Sequence, residues 1–555
     1  MDSTTVFYNA LEGRGPTFTA TDMYNLHLYI MNKLRNSRLD TFWIPSEHNP
    51  ADFTSRLETV TMLRRLTSDA FWPVAVPPAF QSATGYIRNR LGGLGTQVTG
   101  GETQQGERHY CFTVLQKMGE DNSNDLGLYF QLHLLSVPKE PVSSSLPGLW
   151  KYPTNRDDAI KSSTSWIKGK QADDGAEGLW RVRDDLYDLS GFVDKHPGGA
   201  EWLEITKGTD ITEAFEVHHL NPSAEKHLKQ LHVRRAKSPR NSPYTFREDG
   251  FYKTLKKKVR VVLGDDYSGP TFESKLITDL LLTGTLVSSV LSAACRSYSL
   301  AVVSGAFLAL TAIAAHNFFH QKDNFRMYYF HLCFLSSRDW RISHSLSHHI
   351  YPNSVLDLEV SIFEPFFHWL PDPSKTWFSR YGSWLYSPII YREPKMVTAP
   401  DALSFIIPVV MMFCGGSGLK DTLLLWSTVL ISSSFFFGLI GLNAGHHHPE
   451  VFHDGDTPRK DMDWGLFQLD AVRDRKEVMS CTFLALVSFG HHALHHLFPS
   501  LDHGRLQQLY PALEDTCKEF GIPFEVSTVW EMLSGQFRQL ARTEPNPLPP
   551  GHQHR

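Results

Sequence analysis

The sequence predicts a multi-domain fold in which a small, compact soluble domain is followed by an all-α domain of four transmembrane helices, after some 150 residues that are largely irregular. Three observations predict it. The four apolar runs of about the length that crosses a bilayer all lie after residue 270. Histidines cluster directly after two of these runs. The mean hydropathy of −0.26 is slightly polar, so soluble regions must outweigh a short membrane part.

Composition narrows the functional classes. A chain of 555 residues is long enough for two or three domains, and a net charge of −5 gives no reason to expect nucleic-acid binding. The six cysteines have no paired spacing, which predicts reduced thiols facing a reducing compartment. Residues 1–5 lack the pattern of a secretory signal, so internal helices are expected to drive membrane insertion.

Residues 43–56 do not fit the rest of the chain. Their sequence, WIPSEHNPADFTSR, resembles the stretch that follows the RNase H-like part of Pao-type retrotransposon polyproteins. The carboxylates of such a nuclease are not assembled here, so no nuclease activity is predicted. The resemblance implies that residues 1–90 are a transposon-derived fusion or a misjoined gene model, with an unrelated Asn-Pro turn as the alternative. Residues 91–150, rich in Gly, Ser, Gln and Pro, are predicted to be a linker or disordered.

A turn motif marks the soluble domain. Residues 191–199 have the sequence GFVDKHPGG, in which Pro197 fixes the backbone after His196 and two glycines allow close approach of a flat ligand. A histidine pair at 218–219 follows residues 210–215, DITEAF. A loop with chance histidines is the alternative interpretation.

These residues resemble the cytochrome b5 haem-binding domain. The resemblance implies a small α+β domain over residues 151–236 that holds one haem b between two axial histidines, His196 and His219. His218 is the next candidate for the second ligand. Bis-imidazole ligation saturates the iron and suits one-electron transfer rather than oxygen binding.

The second half of the chain begins with a basic stretch, residues 237–270, which is predicted to be a linker. In the following domain, residues 271–540, four segments approach the length needed to span a bilayer. They are residues 276–295, 298–318, 402–419 and 422–442. Very short loops join them into two helical hairpins, and Asp279 lies near one end of the first. Four buried helices of a soluble protein are the alternative. Residues 541–555, with many prolines and histidines, are predicted to be a disordered tail.

Lysines and arginines orient these helices. They are concentrated before the first span and between the two hairpins, whereas the tight hairpin loops offer little beyond Arg296 and Lys420. The positive-inside rule then places the soluble domain, the central segment and the C-terminus in the cytosol. All histidine clusters would lie on that one face.

Three histidine pairs are spaced four residues apart, so each pair shares one face of a helix, as two ligands of one metal require. These pairs are His316 and His320, His344 and His348, and His492 and His496. His349 is turned about a quarter-circle from His348, toward a second metal. Imidazole next to a bilayer calls for a partner, and a metal is the strongest one available. Zinc and copper suit such ligands as well as iron does.

The pattern resembles the membrane fatty acyl desaturases and related hydroxylases, in which three histidine boxes hold two non-haem irons. Residues 492–499, HALHHLFP, resemble the third box of desaturases that carry a fused cytochrome b5 domain, and the resemblance covers roughly residues 145–545. It implies a four-helix membrane domain with a cytosolic helical cap. The metal ligands implied are His316, His320, His344, His348, His349, Asn443, His447, His492, His495 and His496.

The boxes depart from the family pattern in two ways. Three residues rather than two separate His344 from His348, and position 492 is histidine where fused desaturases often have glutamine. His446 and His448 flank His447 and rank below it. Three further histidines are expected to be solvated or to lie behind the ligands, and these are His331, His453 and His503.

The resemblance implies an O2-dependent fatty acyl desaturase of the endoplasmic reticulum membrane that acts on an acyl-CoA or acyl-lipid. Its electrons would come from NADH-cytochrome b5 reductase through the fused haem, whose local concentration at the irons would be set by linker length. Two alternatives stay open: a hydroxylase on the same scaffold, and a non-catalytic electron-transfer or lipid-binding protein.

Overall fold

The computed structural model describes residues 144–551 apart from short gaps at 159–160, 265–266, 268, 365, 383–397 and 442–444, together with three strands nearer the N-terminus. The chain divides into two compact units, Met1–Ser136 and Val137–Arg555.

The first unit is described through its three strands alone. β1 (Thr4–Ala10) and β2 (Ser37–Ile44) each pair antiparallel with β3 (Tyr110–Lys117), which gives the strand order β1-β3-β2. The rest of the unit lies outside the described residues, and so does most of the retrotransposon-like stretch, residues 45–56.

The soluble domain in the second unit is α+β. Its elements are α1 (Ser163–Asp173), β4 (Trp180–Val182), β5 (Asp185–Tyr187), α2 (Ala200–Thr206), α3 (Thr212–His218), α4 (Ser223–Gln230) and β6 (His232–Arg235). A capping box begins α1, where Ser162 and Ser165 bond each other's backbone amides. The strands form an antiparallel sheet in the order β4-β5-β6, and Trp180, Val182, Leu203 and Leu228 pack in the core behind it.

The structure differs from the prediction in both segments that were expected to be linkers, residues 237–270 and the end of residues 91–150. Residues 251–263 form α5 (Phe251–Leu263), whose buried face of Phe251, Tyr252, Leu255 and Val259 joins the main hydrophobic core. The backbone N–H of Tyr252 donates to Asp463 at 3.1 Å. The segment was predicted to be a linker because of its lysines, although its apolar residues lie at the spacing of one helix face. Within the other predicted linker, Ser145 donates to Asp454 and Leu146 is buried.

The remaining helices carry the membrane part and the histidines. They are α6 (Phe272–Ala294), α7 (Tyr298–Phe319), α8 (Ser337–Trp340), α9 (Leu358–Ser361), α10 (Trp377–Tyr381), α11 (Ile406–Gly415), α12 (Leu419–Gly441), α13 (Trp464–Ala471), α14 (Thr482–Val487), α15 (His492–Leu497), α16 (His503–Leu506), α17 (Tyr510–Glu519) and α18 (Val529–Ala541). A π-helix, Arg341–His348, continues directly from α8.

Three helices in the described part of the chain, α6, α7 and α12, are long and apolar enough to cross a membrane. The third predicted span differs, because α11 has 10 residues and follows a 3-10 segment, Ala399–Phe405. Small and hydroxyl residues bring the helices together: a Cβ at Gly305 would lie 2.5 Å from that of Ser432, and Ser289 and Ser304 share a hydrogen bond of 2.6 Å. Asp279 pairs with Arg326 at 2.6 Å.

The tail also differs from its prediction as far as Gly551, where the described residues end. Arg542 forms a bidentate ion pair with Asp456. The backbone N–H of Asn546 donates to the same carboxylate at 2.7 Å, and its side chain donates to the Pro449 carbonyl at 2.8 Å. A buried carboxylate with these donors fixes the segment. Residues 552–555 lie outside the described residues.

Candidate functional site

The predicted haem ligands face each other in the soluble domain. The ring centroids of His196 and His219 are 6.2 Å apart. His196 Nδ1 donates to the Gly199 carbonyl at 2.9 Å, and His219 Nδ1 donates to the Phe215 carbonyl at 2.9 Å. Because a carbonyl only accepts, both rings carry their proton on Nδ1 and leave Nε2 free for a metal.

The surroundings of these two rings fit a flat, apolar group. Phe192 packs against His196 with centroids 6.1 Å apart, and Phe215 packs against His219 at 4.8 Å. The ring separation leaves room for one metal atom with imidazole bonds of about 2 Å on each side. Burial lowers the pKa of His219 to about 4, so the ring is neutral, as ligation requires.

His218, the second candidate for the haem ligand, lies against a different residue. Its ring is 5.5 Å from that of Trp202, and its Nδ1 donates to the Ala214 carbonyl at 2.9 Å. The facing pair is therefore His196 with His219.

Five buried histidines from all three boxes converge at the C-terminal end of α7. Their ring nitrogens lie within 4.8 Å of one another, and the five are His316, His320, His344, His349 and His495. His316 Nε2 is 2.9 Å from His320 Nε2, 2.8 Å from His344 Nε2 and 3.3 Å from His495 Nε2. We call these five residues the first histidine group.

A second histidine group lies beside the first and consists of His348, His446, His492 and His496. His446 is central, with its Nε2 2.9 Å from His348 Nε2 and 2.6 Å from His492 Nε2. His496 completes the group with His348 and His446. The rings of His349 and His496 stack with centroids 4.0 Å apart, so the two groups adjoin.

Hydrogen bonds aim these rings inward. In five of the rings, Nδ1 forms a hydrogen bond with a group outside the two histidine groups. The pairs are His320 with Ser345 at 3.0 Å, His344 with Glu359 at 2.8 Å, His348 with Asp357 at 2.9 Å, His446 with the Ala471 carbonyl at 3.1 Å and His496 with Gln468 at 3.1 Å. Such outer partners fix the tautomer and orient Nε2 toward a metal. Ligand nitrogens that sit 2.0–2.1 Å from one ion lie about 3 Å from one another. The Nε2 separations from His316 in the first group and from His446 in the second are 2.6–3.3 Å, close to that value.

The protonation states also suit metal binding. Burial lowers the pKa of His446, His492, His495 and His496 well below the ordinary value, which leaves these imidazoles neutral. His348 is the exception: burial lowers its pKa, but the carboxylates of Asp357 and Glu359 more than offset this and raise it to about 8. Metal binding at His348 therefore displaces a proton near neutral pH.

A π-helix sets the directions of the three histidines in the second box, His344, His348 and His349. His344 and His348 were expected to share a metal, with His349 facing another. In the structure the amide of His349 donates to the His344 carbonyl at 2.8 Å. His344 and His349 lie in the first group and His348 in the second, and His344 and His348 also lie together with Glu359. A π-turn accommodates one extra residue. This explains how the longer second box keeps His344 in place.

Beyond α12, the structure selects a different histidine from the one predicted. The ring of His447 stacks on Trp369 with centroids 3.5 Å apart, and His446 takes the place among the ligand candidates. The physical reason is the turn at Gly445, whose φ of 126° and close approach to His492 swing the next ring inward. Asn443, the other residue predicted here, lies outside the described residues.

The three remaining histidines behave differently from one another. His503 lies 4.5 Å from the ring of His495 and bonds Asn317 at 2.9 Å, so it lies just behind the first group. His331 sits between Asp401 and Ser337, and the ring of His453 is 5.9 Å from that of His447. All three are buried rather than solvated.

A cavity borders the second group. Histidines, Glu359, Val360, Gly441 and aromatic side chains line it, and the aromatic ones are Trp340, Phe363, Phe367, Trp369 and Phe489. Gly441 ends the membrane helix α12, so the cavity reaches the membrane part. Its apolar walls beside ring nitrogens suit an apolar chain.

Asp357 and Glu359, which the histidine spacing does not single out, accept hydrogen bonds from the rings of His348 and His344. We expect Asp357→Asn to weaken metal binding about 10–100-fold, because the outer partner of a metal-binding histidine orients it. Asp357 also accepts from the Asn353 amide at 2.9 Å. The measurement is iron retained per chain after dialysis against graded chelator. Asp372→Asn, a buried carboxylate outside both histidine groups, is the control, and equal iron loss in both variants would contradict the expectation.

Comparison with known proteins gives two family matches. Residues 166–237 match the cytochrome b5-like heme/steroid binding domain, and residues 295–528 match the fatty acid desaturase family. The first match covers the facing pair His196 and His219, and the second covers both histidine groups.

Curated relatives match over most of the chain. The cytochrome b5-related protein of Drosophila melanogaster is 45% identical over 420 residues, which are 72% of this chain and 96% of that protein. An acyl-lipid (8-3)-desaturase of Mortierella alpina is 24% identical over 422 residues, 65% of this chain and 92% of that protein. A probable Delta(5) fatty acid desaturase C of Dictyostelium discoideum is 24% identical over 430 residues, 67% and 93% of the two chains. No solved structure gives a significant match.

Proposed function

Because this chain belongs to the family of the cytochrome b5-related protein, with a cytochrome b5-like domain fused to a fatty acid desaturase domain, we propose that it is an O2-dependent fatty acyl desaturase. The observation that carries the proposal is the convergence of two adjoining histidine groups on inward-facing Nε2 atoms, beside an apolar cavity that reaches a membrane helix.

Two non-haem irons are the proposed occupants of the histidine groups. Imidazole sets of this kind also accept zinc or copper. The fused haem domain argues against zinc, because a redox-inactive ion has no use for an attached electron donor. The match to the fatty acid desaturase family favours iron over copper. When bound, the iron pair would supply the oxidising power that removes two hydrogens from an unactivated acyl chain.

The chain's own residues would orient the ligands and hold the substrate. Glu359 and Asp357 keep His344 and His348 in the tautomer that presents Nε2. The aromatic walls of the cavity would hold the acyl chain beside the second group and exclude water from it. Gly441, the last residue of α12, would place the membrane end of this cavity next to a helix that crosses the membrane.

The wider setting follows from the same proposal. The haem domain is assigned to residues 151–236 and the desaturase domain to residues 271–540, with α5 packed into the latter. We propose NADH-cytochrome b5 reductase as the external donor, an acyl-CoA or acyl-lipid as the substrate, and residence in the endoplasmic reticulum with both histidine groups on the cytosolic side.

The direct test is expression in a desaturase-deficient cell, followed by mass analysis of its lipids. We expect acyl chains lighter by two hydrogens, and none when His344→Ala, which removes a ligand candidate of the first group, is expressed to the same level. A gain of one oxygen would instead identify a hydroxylase. Unchanged lipids over a range of acyl donors, with haem iron as the sole iron in the purified protein, would identify a non-catalytic haem protein.

A further inference from the structure

Residues close in sequence to His196 and His219 contact residues that are close in sequence to each of the three histidine boxes. On the haem side these residues lie within six positions after His196 or within three before His219. On the membrane-domain side they follow His320, precede His344 and follow His496. The haem domain is therefore seated directly on the flanks of the histidine groups.

The ligand turn itself makes the first contact. The backbone N–H of Asp323, three residues after His320, donates to the Gly198 carbonyl at 3.1 Å. Gly199 has a φ of 114°, and a Cβ there would collide with the Asp323 carboxylate. Close approach between the two domains thus adds a second reason for glycine at this position.

A buried arginine makes the second contact. Arg341, which begins the π-helix of the second box, is fully buried and donates to Glu201 at 2.7 Å and to Asp323 at 2.7 Å. It also donates to the Phe319 carbonyl at 3.1 Å, and its guanidinium lies 4.6 Å from the ring centre of Trp202. The Arg341 guanidinium therefore joins the haem domain to the chain around the first box (His316 and His320) and the second box (His344, His348 and His349).

The side of the haem domain that carries His219 is held as well. Lys253 of α5 donates to the Glu216 carboxylate at 2.7 Å, and Lys256 donates to the Glu216 carbonyl at 2.6 Å. The Ser500 hydroxyl, four residues after His496, donates to the His218 carbonyl at 3.4 Å. A further anchor lies in α1, where Trp166 Nε1 donates to the Leu356 carbonyl at 2.8 Å.

These contacts occupy two of the carboxylates near the haem ligands, Glu201 and Glu216. Glu201 and Glu216 both bond to the membrane domain, so neither is available to an external partner while the domain is seated. The expectation that linker length sets the haem concentration at the metal centre does not fit this arrangement, because a seated domain has a fixed position rather than a diffusing one.

We propose that the haem domain of this chain is a fixed electron donor, docked through Arg341, Glu201 and the Gly198–Gly199 turn, and that Arg341 is a positioning residue for electron transfer into the histidine groups. This inference rests on the proposed function for its redox step. Each transfer oxidises the ferrous haem by one electron and reduces the metal centre by one. Two transfers, two protons and the two hydrogens of the acyl chain convert O2 into two waters.

The test uses the full chain with haem, in detergent, and compares Glu201→Lys with Glu204→Lys. Both residues lie on α2, but Glu204 is exposed and makes no hydrogen bond or ion pair with the membrane domain among the described residues, so it is the matched control. Placing a lysine against buried Arg341 sets like charges together and removes a buried ion pair. We expect amide hydrogen exchange over residues 198–206 and at Asp323 to rise about tenfold or more in Glu201→Lys alone. Glu201→Gln is expected to give a smaller rise.

The second readout is reoxidation of the chemically reduced haem by O2 in the presence of an acyl donor. We expect it to slow about tenfold in Glu201→Lys, with an unchanged haem spectrum, and to stay at the wild-type rate in Glu204→Lys. Unchanged exchange in Glu201→Lys would overturn the docking. Raised exchange with an unchanged reoxidation rate would overturn the positioning role. No acyl-dependent reoxidation in the wild type would overturn the proposed function instead, while the exchange result would still decide the docking.

Discussion

Replacing His446 by alanine is expected to remove one of the two proposed non-haem irons and to lower product formation at least about 100-fold, whereas the same change at the adjacent His447 is expected to leave both in place. His446 Nε2 lies 2.9 Å from that of His348 and 2.6 Å from that of His492, at the centre of the second histidine group. Losing a direct ligand is expected to lower metal affinity or activity by more than the 10–100-fold that follows the loss of a ligand's hydrogen-bond partner.

The measurement is non-haem iron per chain, determined with haem and protein on the same sample. His447→Ala is the matched control because its ring stacks on Trp369 instead of facing the second group. That variant removes a ring from the cavity wall, so it is expected to alter the preference among acyl donors while keeping its iron. Full iron in His446→Ala, or iron loss in His447→Ala, would restore the assignment made from sequence spacing.

Much of the candidate site could be predicted from the sequence, because it depends on helix periodicity and local motifs. His316 and His320 lie one turn apart at the end of a span, and the structure brings their Nε2 atoms within 2.9 Å. The four-residue spacing of His492 and His496 likewise places both in the second group. The motif GFVDKHPGG located the loop that carries His196.

Other features depend on backbone conformations that spacing does not encode. The π-helix at Arg341–His348 changes the angle between successive side chains, so α-helical spacing alone does not give the directions in which His348 and His349 face. At Gly445 a positive φ decides which of two neighbouring histidines faces inward. Both are local departures from regular structure beside the site.

Long-range packing explains the remaining differences. Residues 251–263 contain enough lysine to resemble a linker, yet four apolar side chains on one face bury against helices more than 200 residues later. The tail is held by its bonds to Asp456, a residue that lies outside the tail's own sequence. In both cases the partner is distant in sequence, and only the fold brings it near.

Replacing His219 by alanine is expected to abolish haem binding, while the same change at His218 leaves it nearly intact. The ring of His219 faces His196 at 6.2 Å, and its Nδ1 bond to Phe215 directs Nε2 toward that partner. His218, on the next residue, has its ring against Trp202 instead. A b-type haem is held without covalent attachment, so losing one of two axial ligands removes most of its binding energy.

The measurement is haem per chain with the absorption spectrum of the oxidised and reduced protein, and non-haem iron is determined alongside it. We expect the affinity of His219→Ala for haem to fall by well over tenfold, a loss of more than about 1.4 kcal/mol of binding free energy, so that the purified variant retains little haem. Product formation should fall with it, because the histidine groups lose their donor although their two irons remain. Haem loss in His218→Ala with retention in His219→Ala would reverse the ligand assignment. Product formation without haem would show that the metal centre takes electrons by another route.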